Sequence, residues 1–178
     1  MGIVTGKEFF NKSIQFNSFQ EEVWDDIYNK NFLIKNKLIF KERLLHEDTL
    51  FFIQVLSKAK RVEFINIPIY NYRQRESSIM STMTSKNSMH KLFIIEELLK
   101  LQKEENNTIQ NLDRYLINIL WSIFRFENKT NLNILLKVIR KKQKYSIKEQ
   151  LKILILLING IFFKNIELKK EEDIRNII

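Results

Sequence analysis

The side chains best able to do chemistry are an adjacent acid pair, Glu47-Asp48, preceded by His46 and followed by the apolar run Leu50-Phe51-Phe52. Further along stand Tyr70-Asn71-Tyr72-Arg73-Gln74-Arg75 and then Ser77-Ser78-Ile79-Met80. A carboxylate can take the proton of an attacking hydroxyl, and arginines can hold a phosphate or an anionic leaving group. Neither signal is specific alone. Acids are common in the first turn of a helix, where they meet free N–H groups and the positive end of the dipole. Arg73 and Arg75 read equally well as surface arginines flanking a loop. His46 and His90 are the only histidines and cysteine is absent, so a thiolate metal site has no ligands. A Walker sequence, a Gly-rich phosphate loop and a two-histidine metal motif are also missing, which leaves His46 as an orienting or loop group beside the acids.

Helices must position most of these groups. From Glu47 to about Lys58, Leu50, Phe51, Phe52, Val55, Leu56 and Ala59 recur at helical spacing, so the acid pair opens a helix. Thr5-Gly6-Lys7-Glu8 and Ser18-Phe19-Gln20-Glu21 both fit the capping box, in which a hydroxyl and a carboxylate three residues on satisfy free N–H groups. Each predicts a short helix. In the second, Val23/Ile27 and Trp24/Tyr28 would share faces, making Trp24 either a core anchor or a pocket wall. Leu38-Ile39-Phe40-Lys41, Arg61-Val62-Glu63-Phe64-Ile65 and Ile67-Pro68-Ile69-Tyr70-Asn71-Tyr72 read as short strands of a small sheet, whose open edges would invite self-association. Beyond Ser85 the pattern is helical throughout. One helix is marked by Met89, Leu92, Phe93, Glu96 and Leu99; a second runs through Leu112, Tyr115, Leu116, Ile119, Leu120, Ile123 and Phe124. A third carries Leu132, Leu135, Leu136 and Ile139, and a third capping box, Ser146-Ile147-Lys148-Glu149, opens a fourth ending near Gly160. Glu167 to Ile178 reads as a further, terminal helix.

With 178 residues the chain is long enough for a sizeable core. Three glycines and one proline argue against an all-β sandwich or barrel, whose tight turns need them. The expected fold is mainly α with a small β component, divided into residues 1–84 and a helical bundle over 85–178. No secretory signal opens the chain, and the longest apolar run, Ile153 to Phe163, is broken by Asn159-Gly160 and is shorter than the roughly 20 residues a membrane span needs. The expected location is cytoplasmic, including the inner face of the membrane. A net charge of +9 is compatible with a lysine-rich codon bias, an anionic membrane surface or nucleic acid.

The ordered set from Trp24-Asp25-Asp26-Ile27-Tyr28, through Phe40, to His46-Glu47-Asp48, Ala59-Lys60-Arg61-Val62 and Tyr70-Asn71-Tyr72-Arg73 resembles the acceptor-side half of bacterial family 2 glycosyltransferases of GT-A type. The likeness runs from about Gly6 to Met80. Such enzymes build capsular or lipopolysaccharide sugars from nucleotide-activated donors. The resemblance implies that Asp48 is the catalytic base and that Glu47 orients it or shares its hydrogen bonds. Trp24, His46, Tyr72, Arg73 and Arg75 would contact the acceptor or phosphate. The family's nucleotide-binding half and its D-x-D metal motif are not found here; Asp25-Asp26 are adjacent, and Glu171-Glu172-Asp173 lies in the tail. The chain is therefore expected to be a truncated piece that holds no cofactor itself, the complete enzyme requiring Mn or Mg. It would meet a saccharide or lipid-linked acceptor, and a nucleotide sugar only with the missing half.

A rival reading is a basic helical module for nucleic acid or an anionic membrane. Lys137, Arg140, Lys141, Lys142 and Lys144 form the densest basic cluster, with 137, 141 and 144 on one helix face. No helix-turn-helix glycine turn, zinc finger or RNP-type strand accompanies it, which counts against nucleic acid.

Overall fold

A computed structural model describes residues 2–71, 73, 84–139 and 144–162. Among these are seven α-helices: α1 Gly6–Gln15, α2 Lys30–Lys35, α3 Glu47–Lys58, α4 Ser85–Glu104, α5 Leu112–Glu127, α6 Leu132–Ile139 and α7 Ile147–Phe162. The mainly helical expectation holds. Two capping boxes form as read: Glu8 Oε2 accepts the Thr5 N–H at 2.8 Å, and Glu149 Oε2 accepts the Ser146 N–H at 2.6 Å. Proposed terminal helix 167–178 and basic residues 140–142 lie outside the described residues.

The capping signal at Ser18 fails. Ser18 to Asn29 is irregular, and the next helix, α2, is instead capped by Asn29, whose Oδ1 accepts the Phe32 N–H at 3.0 Å. Tertiary packing overrides local propensity here. The Phe19 ring sits edge-on to Phe10 at 4.9 Å and to Tyr115 at 5.2 Å and stacks on Phe52 at 5.7 Å. Glu21 leaves the backbone to accept a hydrogen bond from the Tyr115 hydroxyl on α5. A continuous helix over 18–28 would have to give up both arrangements.

The small sheet does not form among the described residues. Its one remnant is an antiparallel bridge between Val4 and Val62, with N–H to O distances of 3.0 and 2.8 Å. Residues 38–41 and 63–71 are irregular. An isolated strand gains little without a neighbour to accept its hydrogen bonds.

One apolar core joins α1 and α3 to the later helices. Phe10, Leu50, Ile53 and Leu56 pack in the same cluster as Leu92, Leu98, Leu116, Ile117, Leu135 and Leu156. A smaller cluster of Leu38, Phe51 and Val55 lies under Tyr28, Phe32 and Leu33. The close approach of α1 to α3 depends on Gly6. A Cβ there would stand 2.1 Å from the Leu56 carbonyl oxygen, and the Gly6 N–H donates to Ala59 O at 2.8 Å.

Candidate functional site

The chain enters α3 through a left-handed residue. His46, at φ 61°, occupies the N-cap position and gives the helix no side-chain cap. A non-glycine residue in that region costs free energy and must be held by its surroundings. Two contacts hold it. The Leu45 N–H donates to His90 Nδ1 at 2.8 Å, and His46 Nε2 lies 3.4 Å from the Asn87 side-chain nitrogen. Asn87 also accepts the Thr84 N–H at 2.9 Å, so the start of α4 and the start of α3 are tied together.

Glu47 and Asp48 then fill the first turn of α3, both half-buried. Asp48 Oδ1 accepts the Thr49 N–H at 2.8 Å, one of the N–H groups that a helix start leaves free. Beside this turn opens a pocket of about 260 Å³, lined by Glu21, His46, Thr49, Lys91, Tyr115 and Ser122, with Ile94, Asn118 and Ile119. Four segments meet there: the loop before α2, the first turn of α3, and the facing sides of α4 and α5.

The electrostatics follow from burial. Glu21 is pushed above the usual carboxylate range by desolvation and, to a smaller degree, by Asp48. Hydrogen bonds from Tyr115 and Thr49 and the Lys91 charge oppose the rise. Tyr115 is raised well above its ordinary value by burial and by Glu21. Lys91 is lowered by burial, against the pull of Glu21, and its ammonium donates to Ser122 Oγ at 3.2 Å. His46 is lowered by burial and by Lys91, with Asp48 acting the other way. Asp48 is thus within electrostatic reach of the pocket groups. The lining offers a carboxylate, an ammonium, an imidazole, an amide and hydroxyls over two isoleucines, a mixture that suits a ligand rich in hydroxyls.

Of the residues singled out in the sequence, His46, Glu47 and Asp48 stand together at this turn. Trp24 lies elsewhere. It is 43% exposed and its ring meets Tyr70 at 4.4 Å, so it is no core anchor, and it is not among the residues that line this pocket. Arg73 is exposed, and Tyr72 and Arg75 are outside the described residues. In the basic cluster, Lys137 is paired with Glu96 at 2.9 Å, and Lys144 is exposed. Among the described residues no group of three or more His, Cys, Asp or Glu side chains could hold a metal ion.

The pocket residues Glu21, Thr49, Lys91, Asn118 and Ser122 were not legible as a site. Tyr115 carried a usable signal: a tyrosine on a buried helical stripe needs a partner for its hydroxyl.

No family profile matches the chain, and no solved structure matches it. Over 110 residues it is 30% identical to a cholesterol galactosyltransferase of Borreliella burgdorferi. That stretch is 54% of this chain and 29% of the relative, so the chain spans less than a third of that protein's length.

Proposed function

We propose that this chain supplies the acceptor side of a sugar transfer, in the manner of a family 2, GT-A glycosyltransferase, with Asp48 as the base. The supporting observation is the acid pair at the start of α3 beside a hydroxyl-suited pocket, in a chain similar to part of a glycosyltransferase. In an inverting transfer the carboxylate accepts the proton of the acceptor hydroxyl as that oxygen bonds to the anomeric carbon and the diphosphate departs. Asp48, in the first turn of α3, would take that proton, and Glu47 would orient it. Glu21, Lys91 and Ser122 would hold neighbouring acceptor hydroxyls. A nucleotide-binding half, with its Mn or Mg ion, would carry the donor sugar. Ile39, Phe40, Phe64 and Ile67, all exposed, would give that half an apolar seat. The acceptor is a saccharide or a lipid-linked hydroxyl, of the kind used in capsular or lipopolysaccharide synthesis.

The test is Asp48→Asn in an enzyme that joins this chain to a nucleotide-binding half. Asparagine keeps the size of the side chain and an acceptor for the Thr49 N–H but cannot act as a base. The expected result is a loss of turnover on the order of 100-fold or more with an unchanged melting temperature. If Asp48 serves only the helix start, asparagine does the same work and the rate stays near that of the parent.

A further inference from the structure

We infer that the outward face of α7 is a docking surface for an anionic lipid bilayer. The helix is about 24 Å long at 1.5 Å per residue. Its solvent side is apolar along the whole length: Ile147, Leu151, Leu154, Ile158 and Ile161 form one stripe at alternating spacings of four and three residues. Ile155 and Phe162 widen it on one side, and the seven side chains are between 40% and 78% exposed. The opposite side of the helix is anchored by Leu156, fully buried in the core, and by Asn159, whose amide donates to Asn128 O at 3.2 Å. The stripe is therefore fixed in its outward orientation.

Two features select the occupant. The first is width. A stripe meant for a second copy in a coiled coil is narrow and edged by charged residues that set pairing. Here the edge positions beside the seam are Ile155 and Phe162, and the apolar arc is about 120° at 3.6 residues per turn, as in helices that lie in a bilayer interface. The second is charge. The helix has one carboxylate, Glu149, which is half-buried, accepts from Ser146 and lies 3.6 Å from Arg114. Lys148 is exposed in the first turn of the helix and Lys144 is exposed just before it, while Lys152, one turn on, turns to α5 and donates to Asn118 Oδ1 at 2.7 Å. An apolar face with two exposed lysines at its start and no outward acid complements anionic headgroups, in a chain of net charge +9. No described helix is long and apolar enough to cross the membrane, so the contact would lie in the surface plane. The inference is independent of the sugar-transfer reading.

The test is co-sedimentation of the full chain with phosphatidylcholine vesicles, with and without phosphatidylglycerol. The parent chain should pellet with the mixed vesicles and far less with phosphatidylcholine alone. Leu154→Glu with Ile158→Glu changes exposed side chains only, so helix content by circular dichroism should hold while the bound fraction falls about tenfold or more. Lys144→Glu with Lys148→Glu should remove the preference for the anionic lipid. A parent chain that stays in the supernatant would overturn the inference. So would binding that survives the Leu154/Ile158 change, or a lipid-free dimer that the same change dissociates, which would give the face to a second copy.

Discussion

Helix α5 and the segment from Arg61 to Asn71 are both rich in large apolar side chains, yet they use them in opposite ways. In α5 the stripe Leu112, Tyr115, Leu116, Leu120 and Ile123 is buried. In the segment, Phe64, Ile65, Ile67 and Ile69 are all more than half exposed, and among the described residues the strand-like pairing is confined to the bridge from Val62 to Val4. A helix satisfies its own backbone and needs only something to cover one face. A strand needs a second strand for its hydrogen bonds before its side chains can pack. Apolar content therefore went with burial in α5, where the period is helical, and not in this segment, where the period is two.

The comparison is broken most directly by paired truncations. Leu98→Ala on α4 removes a fully buried side chain and should lower stability by about 2–5 kcal/mol. Ile67→Ala removes a side chain of similar size and should change stability by no more than about 0.5 kcal/mol. Denaturant unfolding followed by circular dichroism measures both. Equal losses would mean that the segment packs in solution as firmly as the bundle does. Hydrogen exchange should give the same ranking, with slow amides in α4 and α5 and fast ones over 63–71.

A smaller effect is expected where the first part of the chain meets α3. Gly6→Ala places a methyl group against the backbone of Leu56, which cannot swing aside as a side chain would. The helices must move apart, at a cost of about 1–3 kcal/mol. A melting temperature equal to that of the parent would show that the α1–α3 contact is looser than described.

How much was legible follows the same division. The bounds of α3, the Thr5 and Ser146 caps and the stripes of α4 to α6 were readable because each depends on residues three or four apart. Ser18-Glu21 has the same local spacing, but the destination of Glu21 depends on Tyr115, ninety-four positions away. The scarcity of glycine was read correctly as a sign against β architecture, while its substitute went unnoticed. Of eight non-glycine residues at positive φ among the described residues, five are asparagine, including Asn111 at the start of α5 and Asn128 at its end. Asparagine tolerates the left-handed region better than most residues and takes over turns that glycine usually makes. The acid pair was found because it is contiguous. The pocket beside it was not, because its lining comes from four separate stretches, none of which stands out in the sequence by itself.

The pH dependence of stability should be the smallest effect and the one that separates the pocket from both regions. Glu21 has a raised value in the folded chain, so its contribution is fully present below the unfolded value of about 4.5 and is lost as pH rises through the folded one. His46 and His90 are lowered by burial, so their contribution is present above about 6.5 and is lost as pH falls through their folded values. The two trends have opposite signs, and Glu21→Gln isolates one of them. Glutamine retains an oxygen that can accept from Tyr115 and Thr49, but it has no charge to desolvate. The variant should equal or exceed the parent in stability at neutral pH and lose Glu21's share of the decline above about pH 4.5, leaving the part set by Asp26, which burial also raises, while the acid-side decline from the histidines remains. Melting temperatures across pH 4 to 8 check this. If Glu21→Gln leaves the whole profile unchanged, the Glu21 carboxylate is solvated rather than held against Tyr115. The pocket would then be a cleft open to water, and the Glu21 carboxylate could not serve as a fixed acceptor for a ligand hydroxyl.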